Sequence, residues 1–176
     1  MGLSRDLITS KAEEYFEIAS EKQYQEEEPK QLTQLPTAFE NGTWTWEDLE
    51  WIVRWKTHRS IGYFNRNDPE KVDEVITEVV DTPSTEQKVD LLTDLSGVQI
   101  KMASAFLLFM NPEKYTVIDS RAGAVLLREG HITSNPDNPS IKEYINYLDV
   151  CRGLADDYDV DLRTLDRALW VLGGSD

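Results

Sequence analysis

One stretch, LSGVQIKMASAFLLFMNPEKYTVIDSRAGAVL from Leu95 to Leu126, limits the folds open to this chain more than any other. The small residues Ser96 and Gly97 follow a helical pattern over Thr85 to Leu95, in which Val89, Leu91, Leu92 and Leu95 share a face. A second helical pattern, Ile100 to Met110, begins directly after Gln99, with Ala103, Phe106, Leu107 and Met110 at helical intervals. Two helices with so little chain between them make a helical hairpin, spanning about 85–110. The amides of Gly97, Val98 and Gln99 then stand at the start of the second helix. Unpaired N–H groups and the positive end of the dipole suit an anion such as a phosphate there. Asn111-Pro112 ends that helix, Tyr115 to Ile118 reads as short extended chain, and Asp119 is placed to cap a helix over Ser120 to Arg128.

The remaining segments also read as helices. Residues 5–27 place Leu7, Ile8, Ala12, Tyr15, Phe16, Ile18 and Ala19 at helical spacing with acids opposite, an amphipathic helix. Pro29 and Pro36 in EEEPKQLTQLP predict a surface connection without chemistry. Thr45-Trp-Glu-Asp48 is a variant capping box opening a helix towards His58, Asp68-Pro69 a strong helix start, and Ser84 to Gln87 and Ser140 to Glu143 two further boxes. In DLRTLDRALWVLGG the leucines recur at helical intervals, Trp170 reads as core, and Arg163, Asp166 and Arg167 read as surface partners worth little to stability. The expected fold is all-α: one domain, residues 1–176, of about seven or eight helices built around the hairpin.

Composition narrows the chemistry. A lone cysteine, Cys151, excludes an internal disulfide and a four-cysteine iron–sulfur cluster. His58 and His131 lie far apart, so no zinc site, and no cofactor, is expected. No apolar run reaches membrane-spanning length and MGLSRDLITS lacks a signal-peptide core, which predicts a soluble, cytoplasmic protein. The net charge of −15 opposes nucleic-acid binding in sum, yet it is unevenly spread. Residues 51–66 carry four basic side chains and no acidic one, and residues 95–128 carry four and two. An acidic shell around two basic windows fits a nucleic-acid binder from a high-salt, halophile-like cytoplasm; ordinary charge fluctuation is the plain alternative. In the first window Trp51 and Trp55 lie one turn apart beside Arg54, Lys56 and Arg59, a pattern suited to base stacking and backbone gripping, or simply to a core with a basic rim.

LSGVQIKMA resembles the helix-hairpin-helix signature Leu-Pro-Gly-Val-Gly-x-Lys-x-Ala of the HhH-GPD DNA glycosylase superfamily, and YTVID resembles its Pro-x-x-Val-Asp stretch. The spacing of Lys101 and Asp119 is similar to that in the endonuclease III and 8-oxoguanine DNA glycosylase branches, with the 8-oxoguanine branch the nearer resemblance. Ser96 stands where the pattern has proline, and Gln99 where it has its second glycine. The resemblance implies a DNA-repair enzyme that extrudes a damaged base, 8-oxoguanine being one candidate, from double-stranded DNA and excises it. It implies Lys101 as the amine that attacks the sugar C1′ in a lyase-type reaction through a Schiff base. Asp119 would stabilise the developing positive charge and accept a proton. Gly97, Val98, Gln99, Arg54, Lys56 and Arg59 are the expected DNA contacts, and Trp44, Trp55 and Tyr63 the candidate walls for the base.

Each residue has a plainer alternative: a lysine one turn into a helix is commonly a solvated charge, and an aspartate before a helix commonly its cap. Two other functions therefore stand beside the enzyme, a non-catalytic nucleic-acid-binding module of the same fold and an all-helical interaction protein with no DNA role.

Overall fold

The structure, a computed structural model, describes residues 2–18 and 22–174. The α-helices are α1 (Arg5–Ile18), α2 (Lys22–Asn41), α3 (Trp46–Lys56), α4 (Ile61–Phe64), α5 (Pro69–Asp81), α6 (Thr85–Thr93), α7 (Ile100–Met110), α8 (Ser120–Arg128), α9 (Ile141–Tyr158) and α10 (Leu162–Gly173), with a 3-10 turn at His58–Ser60. No strand occurs among the described residues. The all-α class stands; the helices among the described residues outnumber the seven or eight expected, for two reasons. The short α4 carries too few residues for a periodic signal, and the proline-bearing segment is itself helical.

That segment is the main correction. Residues 5–27 do not form one straight helix, since Tyr15 Oη lies 3.1 Å from Glu28 Oε1, positions that such a helix would hold roughly 20 Å apart along its axis; Ala19 lies outside the described residues. Pro29 and Pro36 lie inside α2 rather than in a surface connection. Each interior proline costs about 3 kcal/mol of helix stability. Against this, Leu35 and Phe39 are fully buried at about 1.5–3 kcal/mol apiece, and Glu28 is anchored by several hydrogen bonds. Tertiary contacts thus outweigh local propensity.

Local chemistry sets most other boundaries. Thr45 with Asp48 and Ser140 with Glu143 form reciprocal capping boxes, and Asp68, Ser84, Asp119 and Asp161 each accept an amide of the first turn they cap. Every residue of α7 from Met102 to Phe109 is buried, the mark of a helix surrounded by others. α2, α3 and α6 pack on α7, while α10 packs on α1, α8 and α9.

α6 and α7 are joined by the turn at residues 94–99 and pack on one another. Gly97 has φ +79°, and a Cβ there would lie 2.7 Å from the Phe64 amide nitrogen, so both conformation and space demand glycine. Asn67 clamps the turn: its side-chain amide accepts from the Ser96 N–H at 2.9 Å and donates to the Ser96 carbonyl at 2.9 Å. Gln99, the residue before α7, has φ −95° and ψ −178°, extended backbone in which a side chain carries no strain.

Two contacts carry this geometry to the start of α8. Buried Ser104 Oγ donates to the Lys101 carbonyl at 2.6 Å and accepts the Ile118 N–H at 3.0 Å, tying extended residues 115–118 to α7. At the far side, a Cβ on Gly173 would lie 2.1 Å from the Arg121 carbonyl oxygen, so the end of α10 rests on the first turn of α8.

Candidate functional site

Asp119 sits where these elements converge. As N-cap of α8 it has φ −133° and ψ 143°, and its Oδ1 accepts the Arg121 amide at 2.8 Å. Its Oδ2 meets Lys56 Nζ, from the last residue of α3, at 3.2 Å. Burial works against the charged carboxyl, but the Lys56 ammonium, the Arg121 amide and the Lys101 ammonium outweigh it, leaving the pKa below the ordinary value. Lys101 Nζ donates to Ser120 Oγ at 2.7 Å, one residue from Asp119.

A cavity of about 170 Å³ opens beside this carboxylate, lined by Tyr15, Tyr24, Gln25, Trp55, Lys56, Val117, Asp119, Arg163, Asp166 and Trp170. Lys101 is absent from its wall and borders a separate hollow with Val98, Gln99 and Pro139. The structure therefore brings Lys101 to the shoulder of Asp119 but places Lys56 in the cavity.

The remaining candidates separate. Trp55 is a cavity wall: its indole N–H donates to Glu28 Oε1 at 2.9 Å, its edge meets Phe109 at 4.9 Å and the Arg163 guanidinium lies 5.2 Å over its ring. Trp44 stacks on Phe39 at 5.8 Å and does not line the cavity. Tyr63 is 55% exposed, under the Arg66 guanidinium at 5.0 Å, beside the Gly97 turn and also off the cavity wall. Arg54 is paired with Glu50 on its own helix at 3.5 Å, Arg59 is exposed, and Lys56 is committed to Asp119. At the turn, the Val98 amide donates to the Leu95 carbonyl at 3.2 Å, so it is not one of the outward-facing donors expected for the hairpin.

Behind the cavity lies a buried ionic cluster that local sequence did not signal. Glu28, fully buried, accepts from Tyr15 Oη at 3.1 Å, from Arg163 Nη2 at 2.5 Å and Nε at 3.1 Å, and from Arg167 Nε at 3.0 Å, besides Trp55. Arg163 also pairs with Asp166. The expectation of a surface trio at Arg163, Asp166 and Arg167 is thus corrected, for Arg163 and Asp166 are buried. The i, i+3 and i+4 spacing was legible, but a partner 135 residues away was not.

Burial opposes ionisation of Glu28, yet Arg163 and Arg167 prevail and lower its pKa to about 2. Asp166 is raised to about 6, because burial dominates and Arg163, already held by Glu28, compensates only in part, with the Asp119 charge adding to the rise. Tyr15 is pushed up to about 12, by burial first. The Trp170 ring is half-buried rather than core, edge-on to Tyr15 at 5.5 Å with Arg121 4.4 Å over its face.

Gln25 Oε1 is buried with no hydrogen-bond partner among the described residues, on the same cavity wall. Cys151 is buried and its thiol is pushed up by burial, which makes it inert packing. Among the described residues no group of His, Cys, Asp and Glu is arranged to hold a metal ion, and no helix is long and apolar enough to cross a membrane.

No protein-family model and no curated protein matches the chain. A solved structure that is similar over 96% of this chain and 89% of its own length, at 20% identity and a TM-score of 0.44, is the 8-oxoguanine DNA glycosylase of Thermotoga maritima.

Proposed function

We propose that this protein excises a damaged base from double-stranded DNA, with Lys101 as the amine and Asp119 as the electrostatic partner. The observation that carries this reading is an ionised carboxylate at the rim of an aromatic-walled cavity, with a lysine amine hydrogen-bonded to the next residue. The turn at residues 94–99, taken as a helix-hairpin-helix, offers the Gly97 and Gln99 amides to a phosphate, with Arg59 and Arg66 exposed in the basic window. The base, turned out of the stack, enters between Tyr24, Trp55 and Trp170, where an N–H of its edge satisfies Gln25 Oε1.

In the reaction the Lys101 ammonium gives up a proton, its nitrogen forms a bond to C1′ as the C1′–N bond to the base breaks, and the departing base takes up that proton. Asp119 stabilises the positive charge that develops on the sugar. Loss of a proton from the new nitrogen and opening of the sugar ring leave a Schiff base, from which β-elimination of the 3′ phosphate cuts the strand.

The test is borohydride trapping on duplexes carrying an abasic site or 8-oxoguanine, at low and high salt. A covalent adduct in the wild type that disappears in Lys101→Ala is the expected result. A second reading, a DNA-binding module without chemistry, draws on the placement of Lys101 outside the cavity. Binding to these duplexes without any adduct would favour it and overturn the enzyme.

A further inference from the structure

Two lysines flank Asp119, and they are not equivalent. Lys101 Nζ donates to the neutral Ser120 hydroxyl. Lys56 Nζ sits directly on the carboxylate, and the two side chains are only 14% and 23% exposed. A carboxylate paired with an ammonium is locally neutral, and so gives little stabilisation to a sugar cation. The same ammonium lines the cavity that would receive a nucleotide, and every nucleotide brings a phosphate with it.

We infer that Lys56 exchanges partners: Asp119 holds it in the free protein, and it passes to a phosphate oxygen flanking the extruded nucleotide when DNA binds, which releases the Asp119 carboxylate to face the sugar. Lys56 is then a positioning residue, acting on the reaction through Asp119. The inference rests on the glycosylase reading above.

Asp119 is faced by Lys56 from α3, Lys101 from α7, the Arg121 amide of its own helix, Tyr147 from α9 and Asp166 from α10. Once Lys56 has left, Lys101 and the Arg121 amide still favour the ionised form, while burial and Asp166 oppose it. The exchange also replaces one ion pair by another, so the ammonium is never left buried without a counter-charge.

Two readouts on Lys56→Met separate this from a static structural role. Binding to a duplex with a tetrahydrofuran abasic analogue should have a log affinity against log salt slope shallower than wild type by about 0.9, the loss of one phosphate contact. The acid limb of kcat/KM, which reports the free enzyme, should move up in pH, while that of kcat, which reports the complex, should stay in place, because Lys56 has already left Asp119 there in the wild type. Lys56→Arg keeps a cation and should retain the wild-type slope, which guards against a folding defect in the methionine variant. An unchanged slope in Lys56→Met, or acid limbs of kcat and kcat/KM that move together, overturns the exchange. If the wild type is not trapped by borohydride at all, it is the glycosylase reading that fails, and the exchange with it. If the wild type is trapped and Lys56→Met behaves as wild type in both assays, the exchange alone fails.

Discussion

Replacing Glu28 by Gln should destabilise this protein more than any surface change. The carboxylate is fully buried and is the shared acceptor for Arg163 and Arg167, whose side chains are only 7% and 15% exposed. Removing one partner of a buried pair typically costs about 3–5 kcal/mol, because the remaining charge is left in a poorly solvated site. The proton linkage gives a similar size. A carboxyl lowered from 4.5 to about 2 in the folded state corresponds to roughly 3 kcal/mol at neutral pH, at about 1.4 kcal/mol per pH unit.

The sign follows from the direction of each shift. Glu28 is depressed, so its contribution is complete above about pH 4.5 and is lost as pH falls towards 2. Asp166 is raised to about 6, so its ionisation penalises the fold above that pH and the penalty is relieved as pH falls towards 3.8. Urea denaturation of wild type and Glu28→Gln from pH 7 to pH 2.5 should therefore give a difference of about 3 kcal/mol at neutral pH that closes mainly below pH 4.5. A difference under about 1 kcal/mol at pH 7, or one that does not change with pH, would refute the view that Glu28 is an ionised hub.

Three further outcomes are expected. Gly97→Ala forces a Cβ against the Phe64 nitrogen at a positive φ and should cost about 1–3 kcal/mol in urea denaturation, with DNA affinity reduced as the turn shifts. Ser104→Ala leaves the buried Ile118 N–H without its acceptor and should cost about 1–3 kcal/mol; since Ile118 precedes Asp119, kcat should fall with less effect on DNA binding, measured in single-turnover assays. Asp119→Asn keeps an N-cap but removes the charge, so the helix should persist by circular dichroism while base excision is lost. Its stability should also lack the acid-side loss that the depressed Asp119 pKa contributes to the wild type as pH falls below the ordinary carboxylate range.

What the sequence by itself determined is what short-range chemistry decides. The caps at Thr45, Asp68, Ser84, Asp119 and Ser140, the bounds of α7 and α8, and the glycine at the α6–α7 turn all follow from residues within about four positions of one another. Only the tertiary structure decided that Lys56 meets Asp119 across 63 positions, that Glu28 gathers Arg163 and Arg167 from the other end of the chain, and that α2 runs through two prolines. Such pairings leave no periodic trace, because a buried ion pair between distant helices depends on how those helices cross. The five acids and bases concerned look, one at a time, like the many solvated charges around them.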